Sequence, residues 1–133
     1  MEQIDNNTAC QVAEAFVKVY YETMDKRRHG MADLYLDTGI LVWNGNSSSG
    51  KEAIQKYLSD LPPSEHLTLT LDAQPVTGEE VGSQPTVLIT VSGRVKYNPE
   101  STNVTRIPFF QNFLLTCQAG IWYIVSDTVR HQR

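Results

Sequence analysis

Two segments near the end of the chain, residues 109–118 and 121–130, alternate like β-strands yet carry bulky apolar groups at both parities. Phe109, Phe113 and Leu115 stand opposite Phe110 and Leu114, and Tyr123 and Val125 stand opposite Trp122 and Ile124. Successive strand residues point to opposite faces of a sheet, so both faces of this pair need cover. Gln118-Ala119-Gly120 is short enough to join the two as a hairpin.

The rest of the chain supplies cover for one face only. Val12, Ala15, Phe16, Val19, Tyr20 and Thr23 recur at helical steps behind Asn7 or Thr8, either of which can cap a helix lasting to about Met24. Met31, Leu34 and Tyr35 repeat the period between Gly30 and Asp37-Thr38-Gly39, predicting a short second helix. Ile40-Leu41-Val42-Trp43 reads as a strand, and Asn44-Gly45-Asn46 with Ser47-Ser48-Ser49-Gly50 as a turn. A third helix fits residues 51–61, with Ala53, Ile54, Tyr57, Leu58 and Leu61 on one face and Pro62-Pro63 as its stop.

Residues 67–73 then alternate strictly, predicting Leu67, Leu69, Leu71 and Ala73 inward, and residues 86–97 put Val87, Ile89, Val91, Val95 and Tyr97 on one side. Helices followed by antiparallel strands predict an α+β fold, three helices in the N-terminal half packed on one face of a strongly bent, mainly antiparallel sheet. The opposite face keeps an apolar patch, the kind of surface that marks an interaction site.

Length and composition narrow the function. At 133 residues the chain is the size of one domain, read as spanning 1–133 with residues 1–7 flexible. A formal net charge of −4 argues against gripping phosphates, so no direct nucleic-acid partner is expected. The one dense basic run, Lys26-Arg27-Arg28-His29, falls at the end of the first helix, where cations suit the helix dipole.

Cys10 and Cys117 lack neighbours at metal-ligand spacing, so neither metal nor cofactor is expected. The acidic, polar N-terminus and the lack of a membrane-length apolar run predict a protein inside the cell with no membrane partner. The triplets beginning at Asn6, Asn46 and Asn103 are then chance matches to the glycosylation pattern.

Phe16-Val17-Lys18-Val19-Tyr20-Tyr21 through Met24-Asp25, Leu34-Tyr35, Leu41-Val42-Trp43-Asn44-Gly45, Gly50-Lys51-Glu52-Ala53-Ile54 and Leu61-Pro62 resemble the nuclear transport factor 2-like family in order and spacing. Gln111-Asn112-Phe113-Leu114-Leu115 and Trp122 through Asp127 to Arg130 continue the resemblance, which runs from about Thr8 to Arg130. It implies a cone-shaped fold whose curved sheet packs against another sheet.

The resemblance is strongest toward the export-related branch, and implies a non-enzymatic subunit that heterodimerises with the large mRNA export receptor. Such a subunit shuttles between nucleus and cytoplasm, and meets nucleoporin Phe-Gly repeats at nuclear pores through its partner. The founding branch is instead a homodimer that carries GDP-bound Ran through acids round the cone mouth. Here Asn44 and Asn98-Pro99 stand where those acids would be, and Ala9 stands for an aromatic that helps hold Phe-Gly repeats. Without carboxylates, charge-assisted pairing to Ran is lost.

The resemblance also implies that Arg130 pairs with a carboxylate on the large subunit. On one strand face with it the alternation sets Thr128, Ser126, Ile124 and Trp122, and Phe110 and Leu114 join them as candidate anchors. The competing readings are a solvated arginine and aromatics that simply fill the core. Related cone folds use a helix-one tyrosine as an oxyanion donor, which makes Tyr20 and Tyr21, with Asp33, Asp72, Asp127 or His66, the candidates for isomerase or dehydratase chemistry. Asp127 with Tyr123 is the nearest approach to a dyad, and the set converges on no mechanism, so no catalytic residue is assigned.

Overall fold

Asp5, rather than Asn7 or Thr8, caps the first helix: its carboxylate accepts the Thr8 N–H at 2.7 Å, and α1 (Asn6–Lys26) follows. The computed structural model describes residues 4–76, 84–102 and 104–132. After α1 the chain makes a 3-10 turn, Arg28–Leu34, and then leaves the helical region at Tyr35, which opens strand β1 (Tyr35–Trp43). The expected second helix is thus tighter and ends before Tyr35, whose extended backbone carries its hydroxyl onto Asp127 at 2.6 Å. Arg28 ties this corner together, donating from Nε to the Met24 carbonyl, from Nη1 to those of Leu58 and Leu61, and from Nη2 to Pro62.

The serine run read as a turn is a strand, β2 (Asn46–Ser49), paired antiparallel with β1. Asn44 and Gly45 alone make the turn, with φ of 49° and 88°, the left-handed pair that a tight hairpin requires. Helix α2 (Lys51–Ser59) follows, then β3 (Ser64–Pro75), β4 (Thr86–Tyr97), β5 (Ile107–Gln118) and β6 (Ile121–His131). The sheet order is β2-β1-β6-β5-β4-β3, antiparallel throughout except where β1 runs parallel to β6.

The sheet curls round α1. Tyr20 of this helix reaches Asp127 on β6, and Tyr21 reaches Gln111 on β5. Ala9, Ala13, Phe16, Val17 and Met24 join Val87, Ile89, Val91, Phe109, Phe113 and Leu115 in one buried core.

Two slips of register decide which side chains enter that core. β5 and β6 slip between Leu114 and Leu115, leaving Val125 without a partner. β3 and β4 slip between Thr68 and Thr70, leaving Leu69 as the extra residue. Such bulges bend a strand and reverse its parity.

The expectation that Leu67 and Leu69 point inward is therefore wrong: they are 45% and 55% exposed, while Leu71 and Ala73 beyond the bulge are half-buried. His66, expected in a loop, sits in β3 with its ring buried. Gly93 lies at this bulge, where a Cβ would collide with the Leu67 carbonyl oxygen.

Candidate docking face

The sheet surface turned away from the helices carries three cross-strand rows. In the first, Arg130 on β6 stands opposite Phe110, Phe110 opposite Ser92 and Ser92 opposite Thr70, with the last two hydroxyls hydrogen-bonded. The second runs Val42, Thr128, Asn112, Thr90 and Asp72, with Thr90 Oγ1 donating to Asn112 Oδ1 at 3.0 Å. The third runs Ile40, Ser126, Leu114, Leu88 and Gln74.

Phe110 is 50% exposed and Ile40 41%, values that mark a sheet face with no cover from the described residues. Two pairs of the polar groups on this face bond each other, Thr70 with Ser92 and Thr90 with Asn112. The surface thus sets apolar groups, Phe110, Ile40, Leu114 and Leu88, about a middle row of mostly polar side chains.

The sequence-predicted set divides across the sheet. Arg130, Thr128 and Phe110 are exposed on this face, with Ser126 and Leu114 half-buried beside them. Ile124 is fully buried in the core, and Trp122 turns to the helix side, because the Val125 bulge shifts the alternation by one. Trp122 there lines an apolar hollow of about 460 Å³ with Val12, Ala15, Phe16, Val19 and Leu34.

Beneath the face lies a buried polar cluster in which Tyr20 and Asp127, both candidates from the sequence, are joined by Tyr35 and Gln111, which sequence patterning missed. Asp127 Oδ2 accepts the hydroxyls of Tyr20 at 2.8 Å and Tyr35 at 2.6 Å, and Oδ1 accepts Gln111 Nε2 at 2.7 Å. Gln111 Oε1 in turn accepts the Tyr21 hydroxyl at 2.6 Å. Burial raises the Asp127 carboxyl to about 6, against the pull of its three donors, and burial likewise pushes all three tyrosine hydroxyls well above their ordinary range.

Both oxygens are engaged by the protein and the residue is fully buried, so this carboxyl offers no side to a substrate. Of the tyrosines suggested for it, Tyr20 bonds it directly inside the core, Tyr21 reaches the cluster only through Gln111, and Tyr123 is directed to the other side of the sheet, opposite Thr116.

The remaining catalytic candidates are dispersed. Asp33 and Asp72 are exposed. His66 is held by Asp25, whose carboxylate accepts His66 Nδ1 at 2.7 Å, the His66 backbone N–H and the Ser64 hydroxyl. Burial pushes Asp25 up, but the bonds and charge of His66 carry it below the ordinary carboxylate range. Among the described residues no group of His, Cys, Asp and Glu could hold a metal ion.

At the other end of the molecule Trp43, Asn44, Leu61, Pro62, Tyr97, Ile107 and His131 line a hollow of about 220 Å³. Asn44 Oδ1 accepts the His131 backbone N–H at 2.8 Å, and the His131 Nε2 lies 2.6 Å from the Tyr97 hydroxyl. Asn44 and Asn98 both adopt the left-handed region, with φ of 49° and 54°, where asparagine is favoured among non-glycine residues. The neutral residues at the mouth are therefore turn-formers, and they bring no charge to it.

Over residues 12–131 the chain matches the nuclear transport factor 2 (NTF2) domain. It is 46% identical over 128 residues to NTF2-related export protein 2 of Homo sapiens, across 93% of this chain and 87% of that protein. Nuclear transport factor 2 from Cryptosporidium parvum superposes with a TM-score of 0.80 at 20% identity, covering 98% of this chain and all of that one. A solved complex of the Chaetomium thermophilum Mex67 NTF2-like domain with Mtr2 gives a TM-score of 0.76 at 18% identity, covering 94% and 99%. These two likenesses concern the fold.

Proposed function

The chain belongs to the nuclear transport factor 2 family, and we propose that it works there as a single non-enzymatic domain, the small subunit of the heterodimeric mRNA export receptor. Its uncovered sheet face packs against the homologous sheet of the large subunit's NTF2-like domain and stabilises that domain for nucleoporin docking. The observation that carries this reading is the face itself, with Phe110, Ile40 and Leu114 turned outward and no element of the described chain above them. The 46%-identical relative named as an export protein supports it, as does the pairing of an NTF2-like domain with Mtr2 in a structure of the same fold.

Within the dimer the chain moves between nucleus and cytoplasm, and it reaches nucleoporins and mRNA through its partner. Carriage of Ran has no support at the mouth, where Asn44 and Asn98 bring no carboxylate. A catalytic role has none at Asp127, which is closed on all sides.

Co-expression with the NTF2-like domain of the same organism's large export receptor tests the proposal. A stable 1:1 complex burying at least about 1,600 Å² is expected. Arg130→Glu should weaken it by about 2–5 kcal/mol, since a partner carboxylate would be left buried and unpaired. Two proteins that elute separately at micromolar concentration would retire the reading.

A further inference from the structure

Arg130 is not the sole cation on the docking face. Arg94 on β4 projects from the same side, opposite Pro108 and one step diagonal to Phe110, so Phe110 lies between two exposed arginines on neighbouring strands. Neither arginine has an ion-pair or hydrogen-bond partner among the described residues. Lys96 follows Arg94 on this side, and exposed Arg106 precedes β5.

The nearest acid, Glu65, stands opposite Lys96 and faces Arg106 at 3.9 Å. The next, Asp72, is opposite Thr90, about 13 Å along the strand from Arg94 at the usual rise per residue. One end of an apolar face is thus decidedly basic, on a chain whose formal net charge is −4.

We propose that Arg94 is a second specificity determinant of this interface, and that the face selects a partner sheet bearing carboxylates opposite both Arg94 and Arg130. The inference rests on the heterodimer reading. Two unpaired guanidinium groups beside an exposed phenylalanine are costly to cover with an apolar or basic surface, because each would be desolvated without a partner. A carboxylate meets either of them with a planar, bidentate geometry.

The same end works against wrong pairings, since like charges brought together oppose association. The central rows, apolar and hydroxyl-lined, carry no cation to match a continuous phosphate track. A folded acidic partner therefore fits better than a nucleic acid.

The test measures binding of the wild-type chain, Arg94→Gln, Arg94→Glu and Arg130→Glu to the same receptor domain at two salt concentrations. Arg94→Gln should lower affinity about tenfold, and Arg94→Glu about a hundredfold. The association rate of the glutamine variant should respond less to salt than that of the wild type. Unchanged melting temperatures establish that the variants fold.

Wild-type binding with both Arg94 variants unaffected would overturn the inference and leave the heterodimer standing, whereas no wild-type binding would sink the heterodimer itself. Two control arms use the chain alone. A wild-type self-dimer that Arg94→Glu dissolves, or binding to a uridine 20-mer that it abolishes, would assign the basic end to a different occupant and overturn the proposal.

Discussion

Replacing Asp127 by asparagine converts the buried charge at the centre of the fold into a neutral group of the same shape. Asp127 titrates near 6 in the folded protein, against an ordinary value of 3.8. A carboxyl with a raised folded value binds its proton more tightly in the native state, so its contribution favours folding at low pH and is lost as pH rises toward 6. The full difference is about 3 kcal/mol, of which about 2 kcal/mol falls between pH 4.5 and pH 7.5.

The Asp127→Asn variant has no such dependence, so its stability minus that of the wild type should grow by about 2 kcal/mol across this window. It should then stay flat above about pH 7. Denaturant unfolding of both proteins at matched ionic strength measures it. Titration of other carboxylates, including Asp25 with its opposite sign, cancels in the difference.

The absolute offset is a separate matter. The new amide N–H₂ meets the Gln111 amide, which must turn over and leave the Tyr21 hydroxyl without its acceptor. The slope with pH is therefore the diagnostic. A difference that stays constant from pH 4.5 to 7.5 would refute the argument and mean that the three donors cancel the burial.

The β3 bulge makes two further predictions. Gly93→Ala puts a methyl group into the Leu67 carbonyl and should destabilise the fold by at least about 2 kcal/mol, read as a fall in the midpoint of urea unfolding. Leu69→Lys should change stability by no more than about 0.5 kcal/mol, because Leu69 is largely exposed on an edge strand. Leu71→Lys, opposite buried Val91, serves as the comparison and should cost more than about 1 kcal/mol.

The features legible in the sequence were those that depend on local period. The alternation of β4 and the Ala119-Gly120 hairpin lie where the pattern put them, the last with φ of 52° and 81°. The stripe on α1 is instead rotated: Phe16, Tyr20 and Thr23 are buried as expected, but Ala15 and Val19 are exposed and Ala13, Val17 and Tyr21 are buried instead. Local rules failed where a long-range contact prevailed. Tyr35 continues a helical period, yet its hydroxyl meets Asp127, 92 residues away, and its backbone goes into β1. Ser47 to Ser49 read as loop because polar residues are poor evidence for a strand, although Asn44-Gly45 before them is a strong hairpin signal. The Asp127 cluster joins α1, β1, β5 and β6, and no spacing within one segment could have revealed it.

The apolar character of the last two strands at both parities has two different causes. In β5 it is genuine: Phe109, Gln111, Phe113 and Leu115 are buried toward α1 while Phe110 and Leu114 face outward. In β6 it arises from a phase shift. Trp122 and Ile124 before the bulge and Asp127 and Val129 after it all face inward, which is possible only because Val125 is left out of the pairing. An unbroken alternation that kept Ile124 in the core would turn Asp127 out and strand the hydroxyls of Tyr20 and Tyr35.

The same shift gives β6 its outward run of Ser126, Thr128 and Arg130, so that strand brings polarity and charge to the docking face. The apolar contact comes from β5, β4 and β1, through Phe110, Leu114, Leu88, Ile40 and Val42. On β6 selectivity is in this way separated from grip, with Arg94 on β4 adding to it, and a substitution on the outward run of β6 should alter which partner is accepted more than how much surface is buried.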